Sequence, residues 1–343
     1  MKQTAIVVAP GRGAYNREEL GYLARHHGDK TSLIEDYDAY RRAQGQTPIS
    51  DLDSAARFSG AVHTRGDNAS ALIHACAYSD FLSIDRDRFE IIGVTGNSMG
   101  WYIALTCAGA LSPMNGLRVV NTMGTLMQEQ MIGGQLIYPF MDANWQVIPG
   151  ARANTLAKVA EIDARADHVL DLSIDLGGML VLAGNSAGLT AFEAEMPRLQ
   201  DRFPMRLPNH AGFHTALQAP VAALGQSKLG QSLFDQPQLP LIDGRGAIWQ
   251  PKSNELTALR DYTLGHQVTE TYDFTAAIRT AAREFMPDVF IILGPGTTLG
   301  GATAQSLILS AWRGWTGKAS VQMSEPPLLL SMGRADQRDR VLG

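Results

Sequence analysis

Cysteine is scarce in this sequence, with Cys76 and Cys107 the only thiols among 343 residues. Two isolated thiols exclude a disulfide framework, and with apolar neighbours on both sides they read as core residues of a protein in a reducing compartment. The eight histidines are scattered and show no paired-ligand spacing, so a structural zinc site is not expected and metal catalysis is disfavoured. No segment approaches the roughly 18 uninterrupted apolar residues of a membrane span. The first apolar run, Ala5-Ile6-Val7-Val8-Ala9, is too short for a signal peptide and is broken at once by Pro10 and Gly11. A cytoplasmic protein without a membrane partner is expected. Positive charge is also in short supply: the net charge of -5 argues against a general nucleic-acid binder, which needs clustered Lys and Arg.

What is present is an ordinary globular composition, 45% hydrophobic and 18% charged, in a chain long enough for one large core with a smaller unit inserted in it. Residues 4–9 read as a buried strand ending in the breaker run Pro10-Gly11-Arg12-Gly13. A helix is expected from about residue 18, a polar mixed stretch over 28–68, and an Ala-rich buried helix over 69–81. Residues 90–95 form a second short buried strand, followed by Gly96-Asn97-Ser98-Met99-Gly100 and an apolar helix over 101–110. Another helix is expected over 116–131.

After Gly133-Gly134 the texture changes. Strands over 135–140, 168–172 and 179–183, helices over 154–166 and from 190, and a final strand over 204–207 follow the β-α-β-β-α-β order of a ferredoxin-like unit. The chain then returns to alternating elements, with helices over 217–224, 273–284 and 302–312 and a buried strand over 288–293. Residues 334–340 read as a solvated tail. The expected class is α/β, divided into a large domain of residues 1–133, an insertion of 134–207, and the rest of the large domain over 208–343.

A serine at the apex of a Gly-x-Ser-x-Gly turn between strand and helix meets two physical needs. Small residues permit the tight backbone, and the helix N-terminus behind the serine favours developing negative charge. A hydroxyl is a weak nucleophile at neutral pH, so a base must stand within hydrogen-bond reach. The chain carries a second such pentapeptide, Gly184-Asn185-Ser186-Ala187-Gly188. Context favours Ser98, which precedes a long apolar helix, whereas Ser186 sits at the edge of the smaller unit with Thr190 as the expected N-cap. His210, His214 and His266 are the candidate bases, and spacing does not choose among them. Trp101, Met127, Met131 and Phe140 read as core or pocket wall.

These motifs, taken together and in order, resemble the malonyl-CoA:acyl carrier protein transacylase family. Pro10-Gly11-Arg12-Gly13 is similar to its Pro-Gly-Gln-Gly loop, and Gly96 to Gly100 to its Gly-His-Ser-x-Gly elbow. Leu207-Pro208 with Phe213-His214-Thr215-Ala216-Leu217, then Leu264-Gly265-His266-Gln267-Val268, then Leu293-Gly294-Pro295-Gly296, follow at family-like intervals. The resemblance implies an α/β-hydrolase-like large domain with a parallel-rich sheet and an inserted ferredoxin-like α+β subdomain. It implies Ser98 as nucleophile, His214 as general base, the backbone amides of Met99 and Arg12 as oxyanion hole, and a backbone carbonyl near Gln267 orienting the imidazole. The implied reaction is ping-pong, from acyl-CoA to Ser98 and then to the phosphopantetheine thiol of an acyl carrier protein, with no permanently bound cofactor.

Three positions depart from the family pattern. Where the family carries the arginine that pairs with the malonyl carboxylate, this chain has Met123, and a thioether offers no charge-assisted hydrogen bond. Arg12 replaces the loop glutamine, and its guanidinium either reaches the pocket that Met123 leaves without charge or points to solvent or a CoA phosphate. Asn97 replaces the elbow histidine, which implies altered packing beside the nucleophile. Met123, Arg12 and Asn97 are the residues expected to set acyl preference. An acyl-thioester hydrolase on the same scaffold and a non-catalytic carrier-protein-binding member are the competing readings.

Overall fold

The computed structural model describes residues 2–342. Its large sheet is built from β1 (Gln3–Ala9), β2 (Phe89–Gly96), β7 (Leu241–Ile242), β8 (Ile248–Trp249), β10 (Val289–Ile292) and β11 (Leu329–Ser331). The second sheet takes β3 (Gly134–Pro139), β4 (Leu170–Leu176), β5 (Met179–Gly184), β6 (Met205–Arg206) and β9 (Tyr272–Asp273).

In the large sheet the order is β11-β10-β1-β2-β7-β8, parallel throughout except for the β7–β8 pair. Ala5 to Ala9 are wholly buried, as are all four residues of β10, because a parallel sheet is covered on both faces. The register of β1 on β2 ends with Ala9 opposite Gly96. The two loops that leave these strands therefore start side by side at the carboxyl edge of the sheet, where ligands of open α/β folds bind.

The helices used below are α1 (Thr31–Ala43), α2 (Gly66–Leu82), α3 (Gly100–Cys107), α4 (Pro113–Gln130), α5 (Ala151–Asp163), α6 (Ser186–Glu195), α7 (Ala219–Lys228), α8 (Phe274–Glu284) and α9 (Thr298–Leu309). Every residue of α3 is buried, including Trp101 in its first turn. The start of α4 is set by Ser112, which accepts from the amide of Asn115, with Pro113 in the first turn where no intrahelical N–H partner is lost. α2 and α4 lie close together at Gly66 and Gly124, where a Cβ on either would strike the other's main-chain oxygen or its surroundings. Among the described residues no helix is long and apolar enough to cross a membrane.

The second sheet has the order β6-β3-β5-β4-β9. Its first four strands pair antiparallel, with α5 between β3 and β4 and α6 between β5 and β6, which is the ferredoxin-like arrangement. β9, from the later part of the chain, adds parallel to β4 and ties the two sheets together.

Several sequence expectations need correction. The helix expected near residue 18 is a short 3-10 turn, Arg17–Glu19, followed by Tyr22–His26. The stretch over 28–68 contains α1, whose Tyr37, Asp38 and Arg41 are buried. α6 begins at Ser186 and its N-cap is Asn185, which accepts from the amide of Gly188, so Thr190 lies inside the helix. The tail over 334–340 is not simply solvated: Arg338 is buried and bridges Asp80 at 2.8 Å, and Asp80 also accepts from the Tyr22 hydroxyl at 2.8 Å. β7, β8 and β11, two or three residues each, carry too little periodicity to be seen.

Candidate active site

Ser98 sits between β2 and α3 with φ +56°, a left-handed conformation uncommon for a residue with a Cβ. The turn is so tight that a Cβ on Gly96 would meet the backbone of Gly100, and one on Gly100 would meet the carbonyl oxygen of Ala9. Gly100→Ala therefore forces the elbow off β1 and is expected to cost about 1–3 kcal/mol of stability. Thermal unfolding of the variant checks this; an unchanged midpoint would mean that the elbow relaxes freely.

His214 lies in the loop between β6 and α7, also at positive φ, +56°. Its Nδ1 is 2.6 Å from the main-chain oxygen of Gln267, and its Nε2 is 2.7 Å from Ser98 Oγ. A carbonyl oxygen only accepts, so Nδ1 carries the proton and Nε2 is left bare to accept from the serine hydroxyl. Gln267 follows a π-helical turn, Tyr262–His266, in the last helical turn before Glu270. Carbonyls in that turn have no intrahelical partner, which frees this one for the imidazole. The Gln267 side chain closes the frame: its Nε2 donates to the carbonyl of Ser98 at 3.0 Å, and its Oε1 accepts from the Tyr102 hydroxyl at 3.0 Å. Burial pulls the pKa of His214 down to about 4, against the opposing pull of the Gln267 carbonyl, and leaves the imidazole neutral.

Neither of the other two candidate bases is hydrogen-bonded to Ser98, although His210 lines the same cleft as the serine. His210 turns its Nδ1 to the Pro208 carbonyl at 2.9 Å, and His266 is exposed and stacked on Tyr262. The rival serine, Ser186, opens α6 in the small unit behind its Asn185 cap.

Neither the Met99 nor the Arg12 amide has an acceptor among the described residues. The loop carrying Arg12 is pressed onto the elbow at Gly11, where a Cβ would come within 2.7 Å of the Asn97 carbonyl oxygen. The Arg12 side chain turns inward. Its Nη2 donates to the carbonyls of Thr64 at 2.9 Å and Asn209 at 3.0 Å, and its guanidinium lies over the Phe213 ring at 5.3 Å. Its Nη1 is sealed from solvent without a partner.

Two cavities open at Ser98. A small one of about 20 Å³ is bounded by Arg12, Ser70, Val120, Gly124 and Met127. A wider cleft of about 290 Å³ runs between the sheets, past Asn97, Ile137, Met179, Leu207 and Leu299. Met123 is absent from both linings. It is fully buried, and its sulfur faces Gly225, where a Cβ would lie 2.6 Å away. The face of α4 turned to the site carries Val120, Gly124 and Met127, so the expectation that Met123 touches the acyl group is corrected by its direction. Asn97 lines the wider cleft with its Oδ1 buried and unpartnered. Tyr102 and Ser70 were not singled out from sequence, although Tyr102 stands four residues after the serine, one helical turn away. Among the described residues no group of three or more His, Cys, Asp or Glu side chains is placed to hold a metal ion.

The fold and site define an α/β protein with an elbow serine hydrogen-bonded to a histidine whose second nitrogen is held by a main-chain carbonyl. The chain is similar to proteins named malonyl CoA-acyl carrier protein transacylase. It is 25% identical over 210 residues to that of Salmonella typhimurium and 23% identical over 221 residues to that of Bacillus subtilis. The matched region is 61% of this chain and 64% of the Salmonella protein, and 63% and 66% for the Bacillus one, so it spans just under two thirds of these relatives. Over the whole chain the fold matches the malonyl-CoA:acyl carrier protein transacylase of Xanthomonas oryzae, with TM-score 0.77, 17% identity, and 100% and 98% of the two chains covered. It also matches the malonyl-CoA:ACP transacylase of Synechocystis, with TM-score 0.76, 17% identity, and 99% and 100% covered. A malonyl-transacylase solved with its type II PKS acyl-carrier protein superposes with TM-score 0.74 at 17% identity, 99% of each chain being covered. No protein-family model matches the chain. Its curated relatives and structural neighbours are thus malonyl-CoA:acyl carrier protein transacylases, and the fold is theirs.

Proposed function

We propose that this protein moves a short acyl group from coenzyme A to the phosphopantetheine thiol of an acyl carrier protein through an ester on Ser98. The observation that carries the reading is the chain Ser98 Oγ, His214 Nε2, His214 Nδ1, Gln267 carbonyl, with contacts of 2.7 and 2.6 Å. In the first half, Oγ attacks the thioester carbon and Nε2 takes the hydroxyl proton. The carbonyl oxygen, now negative, is met by the free amides of Met99 and Arg12. The C–S bond breaks, and the imidazolium gives its proton to the departing sulfur, leaving CoA as a thiol. In the second half, the carrier thiol gives its proton to Nε2, its sulfur attacks the ester carbon, the C–Oγ bond breaks, and the proton returns to Ser98.

The carrier partner is supported by the names of the relatives and by the solved complex of one structural neighbour with its acyl-carrier protein. The wider cleft supports it too, since an apolar passage between the sheets suits the pantetheine arm. The division that goes with this reading is a large domain of residues 1–133 and 208–343 with residues 134–207 inserted, the two meeting at the cleft. Buried, unpaired Cys76 and Cys107 fit a cytoplasmic setting.

A chase experiment tests the proposal. Protein incubated with acyl-CoA is expected to gain one acyl mass on the peptide carrying Ser98, and added holo-carrier protein is expected to take it. Release as free acid at a rate indifferent to the carrier would make the protein a thioester hydrolase, and no adduct with any acyl-CoA would end the reading.

A further inference from the structure

We infer that a second cavity, at the carboxyl ends of β10 and β11, binds a purine nucleotide, with the base against Trp145 and Trp315 and a phosphate at Ser331 and Arg334. The cavity holds about 450 Å³, a volume in the range of small-ligand sites, and it lies at the edge of the parallel sheet where such sites form. It is separate from the cleft at Ser98. Helix α9 turns Thr298, Leu299 and Ala302 to that cleft, and Thr297, Gly300, Gly301 and Ala304 to this cavity. At about 100° per residue these are opposite faces of one helix, roughly 10 Å apart.

Three observations carry the inference. First, a buried polar group points to a ligand. Ser331 is 5% exposed and lines the cavity, and its Oγ is sealed from solvent without a hydrogen-bond partner. Its main chain is fixed on both sides, the amide donating to Gln337 Oε1 at 2.8 Å and the carbonyl accepting from the Arg334 amide at 3.0 Å. A hydroxyl buried without a partner is costly, and a ligand oxygen removes that cost. Second, the surroundings of that hydroxyl favour an anion. The turn after β11 is pressed onto the start of α9, since a Cβ on Gly333 would strike the Gly296 carbonyl oxygen. No side chain caps this twelve-residue helix, and its N-terminal end favours negative charge. Arg334 lines the cavity and supplies a cation; its contact with Asp336 at 3.4 Å is exposed on both sides and weak.

Third, the remaining wall is aromatic. Trp145 lies beside Gly301, where a Cβ would stand 3.9 Å from its ring, and Trp315 is held by its Nε1, which donates to Ser324 Oγ at 2.9 Å. Two indoles and a helix face of glycine and alanine suit a flat bicyclic ring. Glu325, next to Ser324, is the acidic group of the lining. Its carboxylate accepts from the hydroxyls of a ribose and repels a phosphate, which leaves the phosphate to Ser331 and Arg334. Such a nucleotide comes to this chain either free or as the nucleotide end of coenzyme A, and the two sources share this chemistry.

Calorimetry with ADP and with adenosine tests the site without any acylation, so its failure and the failure of the transfer reading are distinct. ADP is expected to bind, and adenosine to bind at least about 10-fold more weakly for want of the charged group. Arg334→Ala and Ser331→Ala are each expected to weaken ADP binding by about 10-fold. Gly301→Leu puts a side chain into the space beside Trp145 while favouring the helix, and is expected to abolish binding. Displacement of ADP by CoA would identify the occupant as the nucleotide end of CoA, and simultaneous binding of the two would identify it as a free nucleotide. No binding of ADP at millimolar concentration overturns the assignment, as does equal binding of adenosine or ADP binding unchanged in Gly301→Leu. Should Gly301→Leu fail to fold, unchanged ADP binding in Arg334→Ala, where the side chain lost is an exposed one, overturns it equally.

Discussion

Ser98→Gly is expected to abolish acyl loading and at the same time to raise the unfolding temperature. Loss of the nucleophile removes the path through an ester, and rates are expected to fall by at least about 10⁴-fold, the scale seen when an acyl-forming serine is lost. The second effect comes from the backbone. Ser98 holds φ +56°, which costs a residue with a Cβ about 1 kcal/mol or more and a glycine almost nothing. For a chain of this size the relief is worth roughly 1–3 °C. Ser98→Ala makes the control, since it loses the hydroxyl but keeps the strain. It is expected to match Ser98→Gly in activity and to fall below it in stability. Intact-protein mass spectrometry and thermal melts read both quantities. Loading that survives in either variant would show that another group carries the acyl chain. A glycine variant that melts with the alanine one would show that the elbow stores no strain.

That strained turn is also where the sequence was easiest to read. Strand, elbow and buried helix are contiguous, and each is written in local terms: an apolar run, two glycines around a serine, then a long apolar stretch. Both Gly-Asn-Ser pentapeptides have the same form, and what separates them in space is what the asparagine does. Asn185 caps a helix, whereas Asn97 stands at the elbow with its Oδ1 unpartnered. The histidine was harder. His214 is 116 residues from Ser98, and the residues alone left it level with His210 and His266; only the order of family-like motifs singled it out. Its orienting partner is a main-chain oxygen, which every residue has and no side chain announces.

Met123 shows a different limit. Aligning motifs gives the residue at a position but not the direction of its side chain, and one helical step, about 100°, separates the pocket face at Gly124 from the Gly225 contact at Met123. Arg12 was legible as a departure from the family pattern, but the carbonyls that hold it come from residues 52 and 197 positions away. Those contacts exist only once the loop before α2 and the return from the inserted sheet have closed over the elbow. Arg338 makes the same point, since its polar neighbours read as a solvated tail until Asp80 is placed beside it.

His214→Ala is expected to slow loading of Ser98 by about 10²–10⁴-fold, the usual worth of a positioned general base. The pH dependence of the unsubstituted protein tests the role more sharply. The base works only when neutral, so the loading rate is set by the fraction of His214 without a second proton. With its pKa held near 4 by burial, the rate is expected to stay level from neutral pH down to about pH 5 and to fall below that. An apparent pKa close to the ordinary 6.5 would mean that the imidazole is solvated in the working state. The same burial makes a stability prediction of definite sign. In the folded chain His214 and His210 titrate near 4 and His74 near 3, all pulled down by burial, whereas in the unfolded chain all three titrate near 6.5. Below about pH 6.5 the unfolded state binds more protons, so these three histidines make stability fall as pH drops towards 4. His214→Ala removes one of these contributions and is expected to make the decline measured by thermal melts between pH 7 and pH 5 less steep. If the slope is unchanged while the loading rate collapses, His214 is accessible to water in the folded chain, and its low pKa is not what keeps the base neutral.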